Sequence, residues 1–210
     1  MRLSQYFEIH PDNPQPRLIH RAVEIVRRGG VIAYPTDSCY ALGCHTGDKE
    51  ALERIGRIRQ ADRNHHYTLV CKDLAEAGRF AHIETWQFRL MKASVPGPFT
   101  FLLPASRETP KRLQHAKRRT VGIRIPAHPV PLALLAELRE PLLSSTALLP
   151  GEALPLTDGL EIRQRLEHQI DLVLDAGHCG AWPTTVVDLH TQPAVVVRQG
   201  KGQLPGLVAS

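Results

Sequence analysis

Hydrophobic residues recur every three or four positions in several stretches of the chain, a spacing that places them on one face of a helix. Within Gln15–Arg28 the apolar positions fall on such a face, and Gly29 and Gly30 follow as an end signal. The last predicted helix begins with either Thr157 or Asp158 as its cap. The other predicted helices are Asp48–Ile58, Glu84–Ala93, Val130–Leu138 and Asp158–Arg165.

Short apolar segments between these helices have the composition of strands. They are Tyr6–Ile9, Val31–Tyr34, Tyr67–Cys71, Phe99–Leu103, Val121–Ile125, Leu142–Ser145, Leu172–Leu174, Thr185–Leu189 and Ala194–Arg198. Strands that alternate with helices predict an α/β fold, and the strand-rich C-terminal part favours a twisted mixed sheet flanked by helices. We expect residues 1–200 to form a single domain and residues 201–210 a flexible tail.

Composition excludes several classes of protein. With 42% hydrophobic and 22% charged residues, the chain is neither disordered, collagen-like nor a coiled coil. Its longest uncharged stretch, Ala93–Ser106, has 14 residues and three prolines, which excludes a transmembrane helix. The N-terminus lacks the apolar run of a signal peptide, so we expect a cytoplasmic protein.

Cysteine and histidine give no metal-binding pattern. The four cysteines are scattered and are expected to be buried apolar groups rather than disulfides or zinc ligands. Adjacent His65 and His66 are read as part of a solvated loop, because neighbouring side chains rarely point the same way. No metal site is predicted.

The net charge of +5 suggests a polyanionic partner, either nucleic acid or a nucleotide phosphate, with an ordinary basic surface as the alternative. Six of the 26 cations lie within Lys111–Arg124, which contains no acid. That run is either a polyanion groove or a solvated face, and it has no interleaved aromatic residues for base stacking. GxGxxG and GxxxxGK[ST] motifs are absent from the sequence, so side-chain cations would have to bind any phosphate.

Polar residues at the ends of apolar segments are the candidate ligand contacts. Thr36 lies in Tyr34–Ser38, directly after a predicted strand, where open α/β sheets bind ligands; a plain turn is the alternative. Arg57 and Arg59 end a helix and could grip a phosphate chain, or only complement the helix dipole. Thr100 after a Pro-Gly-Pro turn, and Thr184 and Arg198 at the edges of late strands, are weak signals singly.

Together these segments, in this order, resemble the YrdC/YciO family of threonylcarbamoyl-AMP synthase domains over about residues 12–200. The matching motifs are YPTDSCYALGC (34–44), RIR (57–59), PGPFT (96–100), VGIRIPAHPV (121–130), LLSSTA (142–147), PTTVVDL (183–189) and VVRQG (196–200). The opening segment IHPDNPQPRLIHRAVEIVRRGG is most similar to the YciO branch.

The resemblance implies an open α/β sheet around a basic central cavity. It also implies a nucleotidyltransferase that makes threonylcarbamoyl-AMP from ATP, L-threonine and bicarbonate, with Mg²⁺ accompanying ATP and the product used in t⁶A modification of tRNA. By resemblance, Arg57 and Arg59 would be catalytic and, with Arg198, would contact phosphates. The residues implied to line the threonine and nucleotide sites are Thr36, Thr100, Arg124, Ser145 and Thr184.

Two departures from the family pattern separate the functional hypotheses. The synthases carry Lys-x-Arg where this chain has Arg57 and Arg59, and Ser-x-Asn where it has Ser145 and Ala147. The first hypothesis is a threonylcarbamoyl-AMP synthase or a relative that acts on a similar adenylate. The second is a double-stranded RNA- or tRNA-binding protein of the same fold without turnover, and a third is a nucleotide-binding regulator. The RNA surface would be Lys111, Arg112, Lys117, Arg118 and Arg119.

Overall fold

The computed structural model describes residues 3–60 and 67–204, which build one mixed sheet with helices on both faces. Its strands lie in the order β1-β8-β2-β3-β7-β4-β6-β5-β9-β10. The strands are Gln5–Glu8 (β1), Ile32–Tyr34 (β2), Ala41–His45 (β3), Thr68–Val70 (β4), Phe99–Pro104 (β5), Thr120–Arg124 (β6), Leu142–Thr146 (β7), Leu172–Asp175 (β8), Thr185–Asp188 (β9) and Val195–Arg198 (β10).

Six α-helices are present in the described parts of the chain: Pro16–Arg27 (α1), Lys49–Arg59 (α2), Leu74–Phe80 (α3), Thr85–Ser94 (α4), Pro129–Leu138 (α5) and Gly159–Leu166 (α6). Three of them begin at an aspartate whose carboxylate accepts a backbone N–H of the first turn. Asp48 caps α2, Asp73 caps α3 and Asp158 caps α6, with N···O distances of 2.8, 2.8 and 2.9 Å. Asp158 is therefore the cap of the last helix, and Thr157 is not.

The predicted α/β class and mixed sheet are confirmed. Every predicted strand and helix is present, and each boundary agrees within one residue. Two elements were missed. Strand β3 has the sequence ALGCH, which lacks a β-branched residue, and α3 has seven residues of which only Glu76 and Ala77 are buried. Neither segment is long or regular enough to give a periodic signal.

Helices cover one face of the sheet fully and the other face only in part. On the first face, α2, α3, α4 and α6 pack their apolar sides on the sheet and form the larger core cluster. On the second face, α1 and α5 form a smaller cluster with apolar residues of β2, β3, β4, β7 and β8. Strands β6, β5, β9 and β10 contribute nothing to that second cluster, so no helix of the described residues packs on this half of the second face.

The four cysteines are free and buried, as the sequence predicts. No helix in residues 3–60 and 67–204 is long and apolar enough to cross a membrane. His65 and His66 lie outside the described residues, and so does the part of the expected tail beyond Leu204. The beginning of that tail is packed: the Thr185 hydroxyl donates to the Gly202 carbonyl at 2.6 Å, and Gly202 is buried. Lys201 and Gly202, at the start of the segment predicted to be a flexible tail, are thus hydrogen-bonded to the domain.

Candidate functional site

The half of the sheet without helices carries a cavity of about 370 Å³. Its floor comes from β4, β5, β6 and β9, whose polar side chains replace the apolar ones found under α1 and α5. Gly122 of β6 keeps the floor low, because a Cβ there would lie 3.1 Å from the Thr68 hydroxyl and 3.4 Å from the Thr100 methyl group. The lining residues include Cys39, Arg59, Thr68, Thr100, Leu102, Arg124, Ser144, Ser145, Thr146, Thr184, Val186, Val197 and Arg198.

Arg124, at the C-terminal end of β6, ties the loop after β2 to the cavity. Its terminal Nη2 donates to Asp37 Oδ1 at 2.6 Å and to the hydroxyls of Thr36 and Ser38 at 3.0 Å each. The Arg124 and Asp37 side chains are 8% and 10% exposed, so this is a buried ion pair. Arg124 Nε and Asp37 Oδ2 are buried without a hydrogen-bond partner, which leaves one donor and one acceptor unused.

Arg59 and Arg198 bring two more guanidinium groups to the cavity wall. Arg59, the last residue of α2, donates to the carbonyl of Leu148 at 2.5 Å, and its Nε is buried without a partner. Arg198, the last residue of β10, donates to the carbonyl and the hydroxyl of Thr184 at 2.8 and 3.3 Å. Both side chains are thus held by neutral oxygen atoms rather than by acids.

The positive charges in the cavity repel one another. Burial lowers the pKa of Arg59, and the charge of Arg198 lowers it further. Burial also lowers the pKa of Arg198, with a further contribution in the same direction from Arg124. Asp37 offsets only one of the three charges, so an anion that enters the cavity would relieve both the repulsion and the lost hydration.

Hydroxyl groups complete the lining. The hydroxyls of Thr100 on β5 and of Thr184, directly before the neighbouring strand β9, lie 2.9 Å apart. On β7, the Ser144 hydroxyl accepts from buried Tyr34 at 2.8 Å, and Ser145 follows in the cavity wall. Hydroxyls both donate and accept, so they suit the hydroxyls, carboxylates and phosphates of a polar ligand.

The structure brings most of the predicted site residues together. Arg59, Thr100, Arg124, Ser145, Thr184 and Arg198 all line the cavity. Thr36 lies behind Arg124 and accepts its hydrogen bond instead of facing the cavity directly. The sequence marked the carboxylate of the segment Tyr34–Ser38 but did not assign Asp37 to the site, and it did not select Ser144, although that residue is adjacent to Ser145.

Arg57 is the exception, because the structure does not place it in the cavity wall with Arg59. Residues two apart on a helix point to nearly opposite sides, about 160° apart. Ile58 between them is buried, Arg59 reaches the cavity, and Arg57 is exposed and absent from the cavity wall. The RIR motif thus supplies one cavity cation rather than two.

The other cations of the Lys111–Arg124 run, within Lys111–Arg119, which we call the basic run, lie at the other end of β6 from Arg124, roughly 13 Å away for four strand steps. Lys111, Lys117 and Arg119 are exposed, and exposed Arg112 donates to the carbonyl of Thr46 at 2.9 Å. Arg118 alone turns back and pairs with buried Asp188, which is opposite the cavity residue Leu102 in the β5–β9 register. The run is therefore a surface, and only Arg118 approaches the end of the cavity.

No group of three or more possible metal ligands occurs among the residues that the structure describes. The carboxylate oxygen Asp37 Oδ2 is the unpartnered acidic atom beside the cavity. A single carboxylate oxygen does not hold a resident metal, but it can complete the shell of a Mg²⁺ ion that arrives on a nucleotide.

Comparisons with known proteins agree with this fold. A family model for Sua5, YciO and YrdC proteins, described as "Telomere recombination", matches residues 24–200. The "Uncharacterized protein YciO" of Escherichia coli K12 is 52% identical over 202 residues, which cover 96% of this chain and 98% of that protein. The crystal structure of E. coli YciO superposes with a TM-score of 0.96 and 51% identity over 98% of this chain and all of the other.

More distant relatives carry a functional name. A protein named threonylcarbamoyl-AMP synthase from Thiobacillus denitrificans is 34% identical over 173 residues, 79% of this chain and 88% of the relative. The crystal structure of P. abyssi Sua5 complexed with L-threonine matches with a TM-score of 0.86 and 25% identity. That match covers 94% of this chain but 58% of the Sua5 chain. On the family match and these relatives together, the chain belongs to the Sua5/YciO/YrdC family.

Proposed function

We propose that the cavity binds ATP and L-threonine and joins them, with bicarbonate, into threonylcarbamoyl-AMP. The observation that carries the proposal is the convergence of Arg59, Arg124 and Arg198 on a hydroxyl-lined floor, where Asp37 pairs with Arg124 alone. The names of the distant relatives and the threonine bound to Sua5 support the choice of substrates.

The reaction needs positioning and charge stabilisation rather than a covalent nucleophile. The threonine amine and bicarbonate give a carbamate and water. A carbamate oxygen then attacks the α-phosphorus of ATP, the bond to the β-phosphate breaks, and pyrophosphate leaves. Fixed cations lower the barrier of such a step because negative charge develops on the departing oxygen.

The cavity residues divide this work by chemistry. Arg59 and Arg198 carry guanidinium groups held in place by carbonyls, and we assign the phosphate chain to them. The hydroxyls of Thr100, Thr184 and Ser145 are assigned to the threonine and the ribose. Mg²⁺ would enter with ATP and would neutralise phosphate charge, and Asp37 Oδ2 is the protein oxygen that could reach its shell.

Ala147 sets a limit on this activity. The position where synthases carry an asparagine holds a fully buried methyl group in the main core cluster, and its backbone bonds to Tyr40 and Leu156. The side-chain amide of the synthases therefore has no equivalent at this position. One lost hydrogen bond to a charged ligand costs about 1.5–3 kcal/mol, so we expect binding about ten- to a hundredfold weaker than with the amide.

The test is pyrophosphate release from MgATP. We expect release that requires threonine and bicarbonate together, and Arg59→Gln to remove most of it while Arg57→Gln leaves it intact. Pyrophosphate release in the absence of threonine would mean simple ATP hydrolysis. No release above a heat-inactivated control would contradict the synthase proposal.

The basic run favours a second candidate function, RNA binding without turnover. Lys111, Lys117 and Arg119 are exposed and form no ion pair in the described parts of the chain. Phosphate contacts of this kind make the affinity fall steeply as salt is added. On a double helix, the logarithm of the binding constant falls against the logarithm of the salt concentration with a slope of about −0.9 for each phosphate neutralised. Titration of duplex RNA and tRNA between about 50 and 200 mM salt tests it. RNA affinity that does not change with salt, or no binding at low salt, would rule out this second function.

A further inference from the structure

Residues Gln199–Gly202, which we call the strap, fold back beside β9 instead of leaving the domain. The Thr185 hydroxyl is their anchor: it accepts from Gly200 N at 2.9 Å and donates to the Gly202 carbonyl at 2.6 Å. The Gln199 side-chain amide donates to the same hydroxyl and to the Gly202 carbonyl. Lys201 N adds a bond to the Pro183 carbonyl at 2.9 Å.

Two glycines fix the path of the strap. A Cβ on Gly200 would lie 2.3 Å from the Pro183 carbonyl oxygen, and a Cβ on Gly202 would lie 2.4 Å from the Phe99 ring. Both distances are far below contact distance, so only glycine allows this close approach. The strap is therefore a built segment whose position is set by β9 and the start of β5.

The strap delivers the side chain of Lys201 to the mouth of the cavity. Lys201 Nζ donates to the backbone carbonyl of Asp37 at 2.5 Å, a contact between residues 164 positions apart. The Asp37 carboxylate pairs with the cavity residue Arg124, so the ammonium lies at the loop that Arg124 holds. Lys201 is itself exposed.

The Lys201 ammonium group is held in place and still has N–H donors for a ligand. It has three N–H donors, and the Asp37 carbonyl is a neutral acceptor that takes one of them. The positive charge is thus uncompensated by an acid at this contact, while the long side chain has already lost much of its rotational freedom. A cation ordered in advance binds an anion more tightly than a freely rotating one.

We propose that Lys201 is a specificity-determining residue that contacts the outer phosphates of a nucleoside triphosphate bound in the cavity. This inference rests on the proposed function and adds a discriminating contact at the cavity mouth, outside the three guanidiniums. The residue favours a triphosphate over a monophosphate, since a monophosphate held by the inner arginines would not extend to it. If Lys201 only fastened the strap, its loss would weaken all nucleotides equally and would lower the stability of the fold.

The experiment compares ATP and AMP affinities by calorimetry for the wild type, Lys201→Met and Lys201→Arg. Lys92→Met is the matched control, because Lys92 is an exposed lysine on α4, which packs on the opposite, helix-covered face. We expect Lys201→Met to weaken ATP about 5- to 20-fold and AMP less than about twofold, with an unchanged unfolding midpoint. Lys201→Arg should restore most of the ATP affinity, and Lys92→Met should change neither.

Equal losses for ATP and AMP, or a lowered unfolding midpoint that accounts for the loss, would assign Lys201 to the strap alone and overturn the inference. Unchanged ATP affinity in Lys201→Met would overturn it while leaving the proposed function in place. If the wild type binds neither ATP nor pyrophosphate, both fail together. Binding of ATP without threonine-dependent pyrophosphate release would contradict only the proposed function.

Discussion

The cavity arginines and the basic run carry the same kind of charge in different surroundings. Arg124 is buried, Arg59 is half-buried and Arg198 is exposed at the cavity wall, and all three are held by carbonyls, hydroxyls and one buried carboxylate. Lys111, Lys117 and Arg119 stand in solvent. Charges of the first kind act strongly on a ligand and depend on their partners, whereas charges of the second kind are screened within about 8 Å at physiological salt.

This difference originates in the sheet rather than in the local sequence. Arg124 ends β6 beneath the uncovered half of the sheet, while the run precedes β6 and turns at its opposite end. A count of cations treats both sets alike, so the net charge of +5 does not reveal which of them binds a ligand. The following substitutions test the distinction.

The largest effect is expected for Arg124→Met. It leaves the Asp37 carboxylate buried without its cation, which costs about 3–5 kcal/mol of unfolding free energy. ATP affinity should fall about 100-fold or more, because both a cavity cation and the loop it holds are lost. Denaturant unfolding and calorimetry measure the two effects.

The double variant Arg124→Met/Asp37→Asn separates the effect on stability from the effect on ATP affinity. Removing the orphaned charge should restore most of the stability but not the ATP affinity. If the double variant binds ATP as the wild type does, the cavity charge is not a ligand contact.

The next largest effect is expected for Arg59, and Arg57 of the same helix provides the comparison. Arg59→Gln removes a cavity guanidinium and should weaken ATP about 10- to 100-fold. Arg57→Gln changes an exposed residue on the other side of α2 and should stay within about twofold. Calorimetry on both proteins checks the pair, and the reverse order of effects would mean that α2 presents its other side to the ligand.

Arg118 is intermediate, because it belongs to the basic run but pairs with a buried acid. Arg118→Gln should lower the unfolding free energy by about 1–2 kcal/mol, since Asp188 is 8% exposed and keeps only the His190 N–H as a partner. Asp188→Asn in the same protein should recover part of that loss. If denaturant unfolding shows no change of the unfolding free energy in Arg118→Gln, the Arg118–Asp188 pair is an ordinary surface contact.

The smallest effect is expected for the triple variant Lys111→Gln/Lys117→Gln/Arg119→Gln. These side chains begin roughly 13 Å from Arg124, beyond the screening length, so ATP affinity should change by less than about twofold at physiological salt. Competition with a fluorescent nucleotide measures it. A tenfold loss of ATP affinity would erase the distinction between the two sets of cations.

Sequence patterns predicted the sheet class and nearly all strands and helices, because core positions repeat with the period of the element that carries them. They missed β3 and α3, which are short and have no regular apolar repeat. Motif positions placed most cavity residues in advance, including Thr100, Arg124 and Arg198. The position of Arg57 outside the cavity wall was not predictable from the motif, because it depends on how α2 is rotated against the sheet.

Lys201 lay beyond sequence reasoning for a different reason. Its neighbours are glycine, proline and small residues, which are typical of a flexible tail. The contacts that fold it back come from Thr185 and Asp37, far away in the chain. Only the tertiary structure places such distant residues together.

The phosphates of a nucleotide should lie among the arginines that line the cavity. A crystal structure of the protein soaked with MgATP and L-threonine would locate them. We expect phosphate oxygens about 3 Å from the guanidinium groups of Arg59 and Arg198. Nucleotide bound on the exposed run Lys111–Arg119, with the cavity empty, would contradict it.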